Sequence, residues 1–128
     1  MNKPEGQASQ RSTTKQKGDA AEDRAMHYLQ TRGLQILQRN YRTPGRGGGE
    51  IDLVMQAPDS TVVFVEVRHR AANSHGGALA SVSTSKQRRI VFAARFFLLK
   101  YRQMPPCRFD VVAFEGDVLH WYKAAFDA

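Results

Sequence analysis

The sequence predicts a mixed α/β layer, one sheet with helices available to cover it. Three observations predict it. Helical spacing of apolar residues runs over 14–32 and again from 83–85 to 102. The segments between and after these helices are short, rich in Val, Ile and Phe, and alternate at period two. The links are brief and marked by Gly, Pro or Asp. The predicted order is helix, three strands, helix, two strands. A chain of 128 residues with 41% hydrophobic content supports one domain with one core.

Residues 1–14 are polar and aperiodic, so they are expected to form a disordered arm ahead of a single domain over 15–128. They hold no apolar stretch, so a secretory signal is not expected there. The first helix runs from about Thr14 to Arg32, with Ala21, Ala25, Tyr28 and Leu29 on one face and Gly33 as its C-terminal cap. Glu22 sits at the border of that face and can point towards whatever the helix packs on.

Strands are expected at Leu34–Arg42, 47–56 and 61–68. Ala57-Pro58-Asp59-Ser60 is a tight turn, so the second and third form an antiparallel hairpin. The link at 44–49, PGRGGG, is glycine-rich and basic but lacks the Lys-Ser/Thr of a phosphate-binding P-loop. It suits a loop lying along a phosphate backbone.

The second helix begins near Ser83–Ser85 and is expected to reach Arg102, before Pro105. Ile90, Ala94, Phe97, Leu98 and Tyr101 form its core stripe. Phe92, Phe96 and Leu99 form a second stripe on nearly the opposite side, which calls for cover by the C-terminal segment or by a partner chain. A homodimer through Phe92, Phe96 and Leu99 is the expectation. The last strands are 107–115 and 117–124, joined at Gly116. Trp121, Tyr122 and Phe126 read as packing residues, and Cys107 as a small buried apolar one.

The net charge of +7 makes a polyanion the natural partner. The cations are spread along the chain, and Arg42, Arg46, Arg70, Lys86 and Arg89 surround the two acid-bearing strands as a basic rim for nucleic acid. A single cysteine excludes an internal disulfide and suits a reducing cytoplasm. No apolar run approaches the roughly 20 residues that span a bilayer. The histidines His27, His69, His75 and His120 do not recur at zinc-ligand spacing, and no Ser or Cys has a His and Asp at a triad spacing.

The informative feature is acid inside apolar strands. GGGEIDLVM carries Asp52, and TVVFVEVRHR carries Glu66 and Arg68. A desolvated carboxylate destabilises the fold unless a partner compensates. Alternation puts Glu50, Asp52 and Val54 on one face and Ile51, Leu53 and Met55 on the other. A hairpin then brings Asp52, Glu66 and Arg68 together. Two close carboxylates either share a proton or hold a cation between them, and Mg²⁺ accepts a partial cage of two carboxylates and a carbonyl such as that of Val67. The same spacing also fits a structural salt bridge of Asp52 or Glu66 with Arg68 or Arg70.

An acid on one strand, followed after a turn by Glu-Val-Arg, resembles the PD-(D/E)xK nuclease superfamily. KGDAAEDRAMHYLQTRG, RNYR, GGGEIDLV, FVEVRHR, KQRRI and RFDVV, in this order, resemble the YraN-type (UPF0102) family. The resemblance covers about residues 15–115. It implies a restriction-endonuclease-like mixed β-sheet flanked by helices, related to Holliday-junction resolvases. It implies a Mg²⁺- or Mn²⁺-dependent endonuclease acting on DNA, branched or structured DNA included, and a dimer would suit junction cleavage. Asp52 and Glu66 match the metal-binding acids, Glu22 the helix glutamate near the site, and Lys86 a basic residue for the substrate phosphate. Arg68 stands where the superfamily usually has lysine, and an arginine cannot serve as a base. A non-catalytic nucleic-acid-binding module with the same fold, and a protein-interaction domain using the Phe92 stripe, are the rival expectations.

Overall fold

The computed structural model describes residues 14–45, 47–70 and 82–128, and the side chains of residues 14–17 and of Arg70 fall outside that description. The expected N-terminal arm, Arg46 and His75 lie outside the described residues. The elements are α1 (Thr14–Thr31), β1 (Gln35–Arg42), β2 (Glu50–Gln56), β3 (Val62–Arg70), α2 (Thr84–Leu98), β4 (Cys107–Glu115) and β5 (Val118–Phe126).

The five strands form one sheet in the order β1-β2-β3-β4-β5. Only β3 and β4 are parallel; the other pairs are antiparallel. Parallel neighbours need a crossover, and α2 lies within it. The β2–β3 turn closes through Ala57 N–H to the Thr61 carbonyl at 2.9 Å, with Asp59 Oδ1 accepting from Thr61 N–H at 3.0 Å.

Side chains alternate across a strand, so the two helices cover opposite faces. Ala21, Ala25 and Leu29 of α1 pack on Leu53, Met55, Val63, Val65, Val112 and Phe114. Ile90, Ala93, Ala94, Phe97 and Leu98 of α2 pack on Ile51, Val54, Val62, Phe64, Phe109 and Val111. Burial on both faces explains why β3 reads as a nearly continuous apolar run.

The cap expected at Gly33 is a Schellman turn. Gly33 N–H donates to Gln30 O at 3.0 Å and Leu34 N–H to Leu29 O at 3.1 Å, with Gly33 at φ 95°. Ser83 caps α2, its hydroxyl accepting from Lys86 N–H at 3.1 Å. That helix ends at Leu98, four residues before the expected Arg102. Its last turn tightens into i→i−3 bonds from Leu99 and Tyr101, and the Lys100 ammonium folds back over the Phe97 ring at 3.9 Å.

Two expectations are corrected. Cys107 is exposed, because it opens β4 at the end of the sheet directly after Pro106. Ile51 does not share a face with Leu53 and Met55. It packs with Val54 on the α2 side, so the alternation breaks at Asp52. Trp121, Tyr122 and Phe126 do pack as expected: the Trp121 ring meets Tyr28 edge-on, Tyr122 rests against the α2-side core, and Phe126 stacks on Phe109. Phe92, Phe96 and Leu99 stay 51%, 40% and 75% exposed, so the C-terminal segment does not cover them.

Candidate metal centre

The break at Asp52 is where β2 and β3 part. Their pairing runs from Gln56–Val62 to Leu53–Val65 and stops. The next rung would set Asp52 opposite Glu66. Instead the Asp52 side chain takes the ladder's place, Oδ2 accepting from Val67 N–H at 2.8 Å. On the other side β1 adjusts too, with Asn40, opposite Asp52, at φ 51°. An extended strand points the N–H and C=O of one residue the same way, so the Val67 carbonyl also faces this opening.

Glu66 comes in from β3 and is only 3% exposed. Its Oε2 is 3.2 Å from Arg68 Nη1 and 3.7 Å from the Lys86 ammonium of α2. Its Oε1 is buried and accepts from no N–H or hydroxyl group of the described residues. The Asp52 carboxyl lies close enough to Glu66 to share a proton. Burial, and then the negative charge of Glu66, push the Asp52 pKa up to about 7, against the pull of the Val67 N–H.

Glu22 stands on α1 at the margin of this group. Burial raises its pKa first and the charge of Asp52 second, while Arg39 opposes both. Arg39 holds it at 3.5 Å and binds Asp23 as well, at 2.6 Å.

Of the residues singled out from sequence, the fold thus gathers Glu22, Asp52, Glu66, Arg68 and Lys86 from four separate elements. Arg42 and Arg89 lie elsewhere. With Thr43, Gly47, Gly48, Gly49 and Glu50 they line a recess of about 220 Å³ formed by the glycine-rich loop. Gly49 is required there, because a Cβ would sit 1.9 Å from the Arg89 carbonyl oxygen. Arg42 pairs with Glu50 at 3.7 Å, both well exposed. Of Arg70, only the backbone on β3 is described.

Two residues escaped the sequence reading. Arg39, which positions Glu22, is one of the cations spread along the chain and sits in no motif of its own. Asp110 bears the same mark as Asp52 and Glu66, an acid inside an apolar strand. It is fully buried but satisfied: Arg108 Nε donates to both its oxygens at 3.1 and 3.2 Å, Trp121 Nε1 at 2.9 Å and Ala124 N–H at 2.9 Å. Asp110 therefore fastens β5 to β4 and needs no metal ion. Asp52 and Glu66 together accept fewer donors than they can take.

That deficit fits a divalent cation. The oxygens present are those of Asp52 and Glu66, hard donors of the kind Mg²⁺ and Mn²⁺ take. Among the described residues no three His, Cys, Asp or Glu side chains come close enough to share an ion, so the donor set rests on two carboxylates.

Sheet, helices and site together define an α/β protein of restriction-endonuclease-like layout, with a carboxylate pair where two central strands part. The model of a family described as "Uncharacterised protein family UPF0102" matches residues 21–114, and the chain belongs to that family. A UPF0102 protein of Albidiferax ferrireducens is 65% identical over 94% of this chain and 94% of its own length. A UPF0102 protein of Paracidovorax citrulli is 58% identical over 96% of this chain and 91% of its own. Among the described residues no helix is long and apolar enough to cross a membrane.

Proposed function

We propose that this protein is a metal-dependent endonuclease hydrolysing phosphodiester bonds in DNA, branched or structured DNA included. The observation that carries the reading is the under-donated carboxylate pair, Asp52 beside a Glu66 whose Oε1 accepts from no N–H or hydroxyl group, with two cations at its rim. A structural salt bridge accounts for Glu66 Oε2 alone. It leaves Oε1 unmatched and Asp52 pushed up to about 7.

Asp52 and Glu66 would hold Mg²⁺ or Mn²⁺, with the Val67 carbonyl facing the same opening. A bound cation supplies Lewis acidity, activating water and stabilising charge on the phosphate. Arg68 can clamp a phosphate oxygen with two donors. Lys86 brings to the same Glu66 oxygen the ammonium that the β3 position lacks. It can hold a phosphate oxygen and give a proton to the departing one. Glu22, held by Arg39, adds negative charge at the margin, where a water bridge to the cation is in keeping with its placement.

The lone exposed thiol of Cys107 suits a reducing compartment, and we propose a cytoplasmic setting. The test is Mg²⁺ or Mn²⁺ titration by calorimetry beside cleavage of linear and branched DNA. Wild type should bind the ion and cleave, and Asp52→Asn should do neither. Equal cleavage by Asp52→Asn and wild type would end the assignment.

A second reading, a nucleic-acid-binding module without catalysis, is favoured by one observation. Arg68 stands at the β3 position beside a site where, among the described residues, two carboxylates and no third converge. Salt-dependent DNA binding with no cleavage at any metal concentration would select it.

A further inference from the structure

The outward face of α2 sets three exposed apolar side chains side by side. Phe92 and Phe96 lie one turn apart and expose 51% and 40% of their surface, with Leu99 beside them. Contiguous exposed apolar side chains of this kind mark interaction surfaces. Around it the helix carries Lys86, Arg88, Arg89 and Arg95 and no acid. On a helical projection Arg88 and Arg95 border the stripe on one side and Arg89 on the other. Val91, Phe92, Arg88 and Arg95 line a groove of about 420 Å³, and Asp127 lines it as well.

We propose that this face is a platform for an unpaired nucleic-acid strand leading away from the candidate metal centre, a proposal that rests on the hydrolase reading above. Lys86 lies 3.7 Å from Glu66 and about 120° around the helix from Phe92, with Arg89 between the two, so a strand leaving the site past Arg89 reaches the rings. Phe92 follows Lys86 by about 9 Å along the helix and Phe96 by about 15 Å. The arginines can track phosphates while the two rings receive bases. Only unpaired bases offer their faces to a side-chain ring; those of an intact duplex are stacked away. The substrate class is therefore DNA with a single-stranded flank. Charge argues against the other occupants. A second copy docked face to face would set Arg88, Arg89 and Arg95 against their own equivalents, whereas a polyanion neutralises all of them.

The test is an anisotropy titration in EDTA with a labelled single strand of about 12 nucleotides and a blunt duplex of the same sequence. Wild type should prefer the single strand. Phe92→Ala/Phe96→Ala should weaken single-strand binding about tenfold or more and leave the duplex nearly unchanged. Arg88→Gln/Arg95→Gln should reduce the salt slope on the single strand by roughly 1.4, about 0.7 for each phosphate no longer neutralised. Val118→Ala, an exposed apolar residue on β5, serves as the control. Unchanged strand affinity in Phe92→Ala/Phe96→Ala overturns the platform, whether the face proves to close a dimer by mass or to hold a Glu-rich peptide bearing Phe. Asp52→Asn separates the two readings. It should abolish cleavage without weakening the strand. A wild type that prefers the single strand but never cleaves overturns the hydrolase alone; cleavage without strand preference overturns the platform alone.

Discussion

The Lys86 ammonium of α2 lies 3.7 Å from Glu66 Oε2 of β3. The residues are 20 apart in sequence, across a crossover, and no local spacing joins them. The contact places a lysine at the acid pair although β3 itself offers arginine. Under the proposed function, Lys86→Ala should lower metal-dependent cleavage about 10²-fold or more, and Arg68→Lys should cost far less. Single-turnover rates at saturating Mn²⁺ measure both. A larger loss in Arg68→Lys than in Lys86→Ala would reverse the roles.

Asp52 gives the metal-free protein a pH dependence of definite sign. Its pKa rises from an ordinary 3.8 to about 7 in the folded chain. Between those values the folded state keeps a proton that the unfolded chain has released. Stability therefore falls as pH rises through that window, and the penalty is complete above about 7. Denaturant midpoints in EDTA should decline from pH 5 to about 8 in wild type and much less in Asp52→Asn. A midpoint that rises in wild type over that range contradicts the carboxylate pairing.

Asp110 is the opposite case, a buried acid with every demand met. Asp110→Ala should destabilise by about 3–5 kcal/mol, because it strands the Arg108 charge and frees the Trp121 and Ala124 donors. The near-ultraviolet dichroism of Trp121, this chain's single tryptophan, should weaken with it. Urea titration supplies the number, and a loss under about 1 kcal/mol would show that the staple is not needed.

At the glycine-rich loop, Gly49→Ala forces a Cβ to within 1.9 Å of the Arg89 carbonyl oxygen. Backbone must move, at a cost of about 1–3 kcal/mol. Gly45→Ala meets nothing in space, but φ there is 82°, and about 1 kcal/mol of strain follows. Equilibrium unfolding of both variants should rank Gly49→Ala as the weaker.

Much of the site was legible because its signal is local. An acid within a run of Val, Ile and Phe announces a desolvated charge. A short turn between two such runs sets them side by side, and Gly33 and Ser83 bound the helices by backbone needs that only certain residues meet. The same signal did not separate Asp110 from Glu66. Both are acids in apolar strands; β5 brings the Trp121 and Ala124 donors to Asp110, whereas Glu66 Oε1 receives none from any neighbouring strand. The face assignment at Ile51 failed for a related reason. Alternation assumes an unbroken ladder, and the ladder stops where Asp52 bonds Val67 with its side chain.

By itself, then, the sequence determined the order of the elements, the helix caps, the hairpin and the identity of the two central acids. These depend on side-chain periodicity and backbone conformation within a few residues. Only the tertiary structure decided which acid is satisfied and which is not. It also brought Lys86 beside Glu66, tied Arg39 to Glu22, and left Phe92 and Phe96 exposed. Each of these depends on which donor, cation or covering surface a distant element delivers. That delivery is set by packing α1 and α2 on opposite faces of one twisted sheet, and no spacing along the chain encodes it.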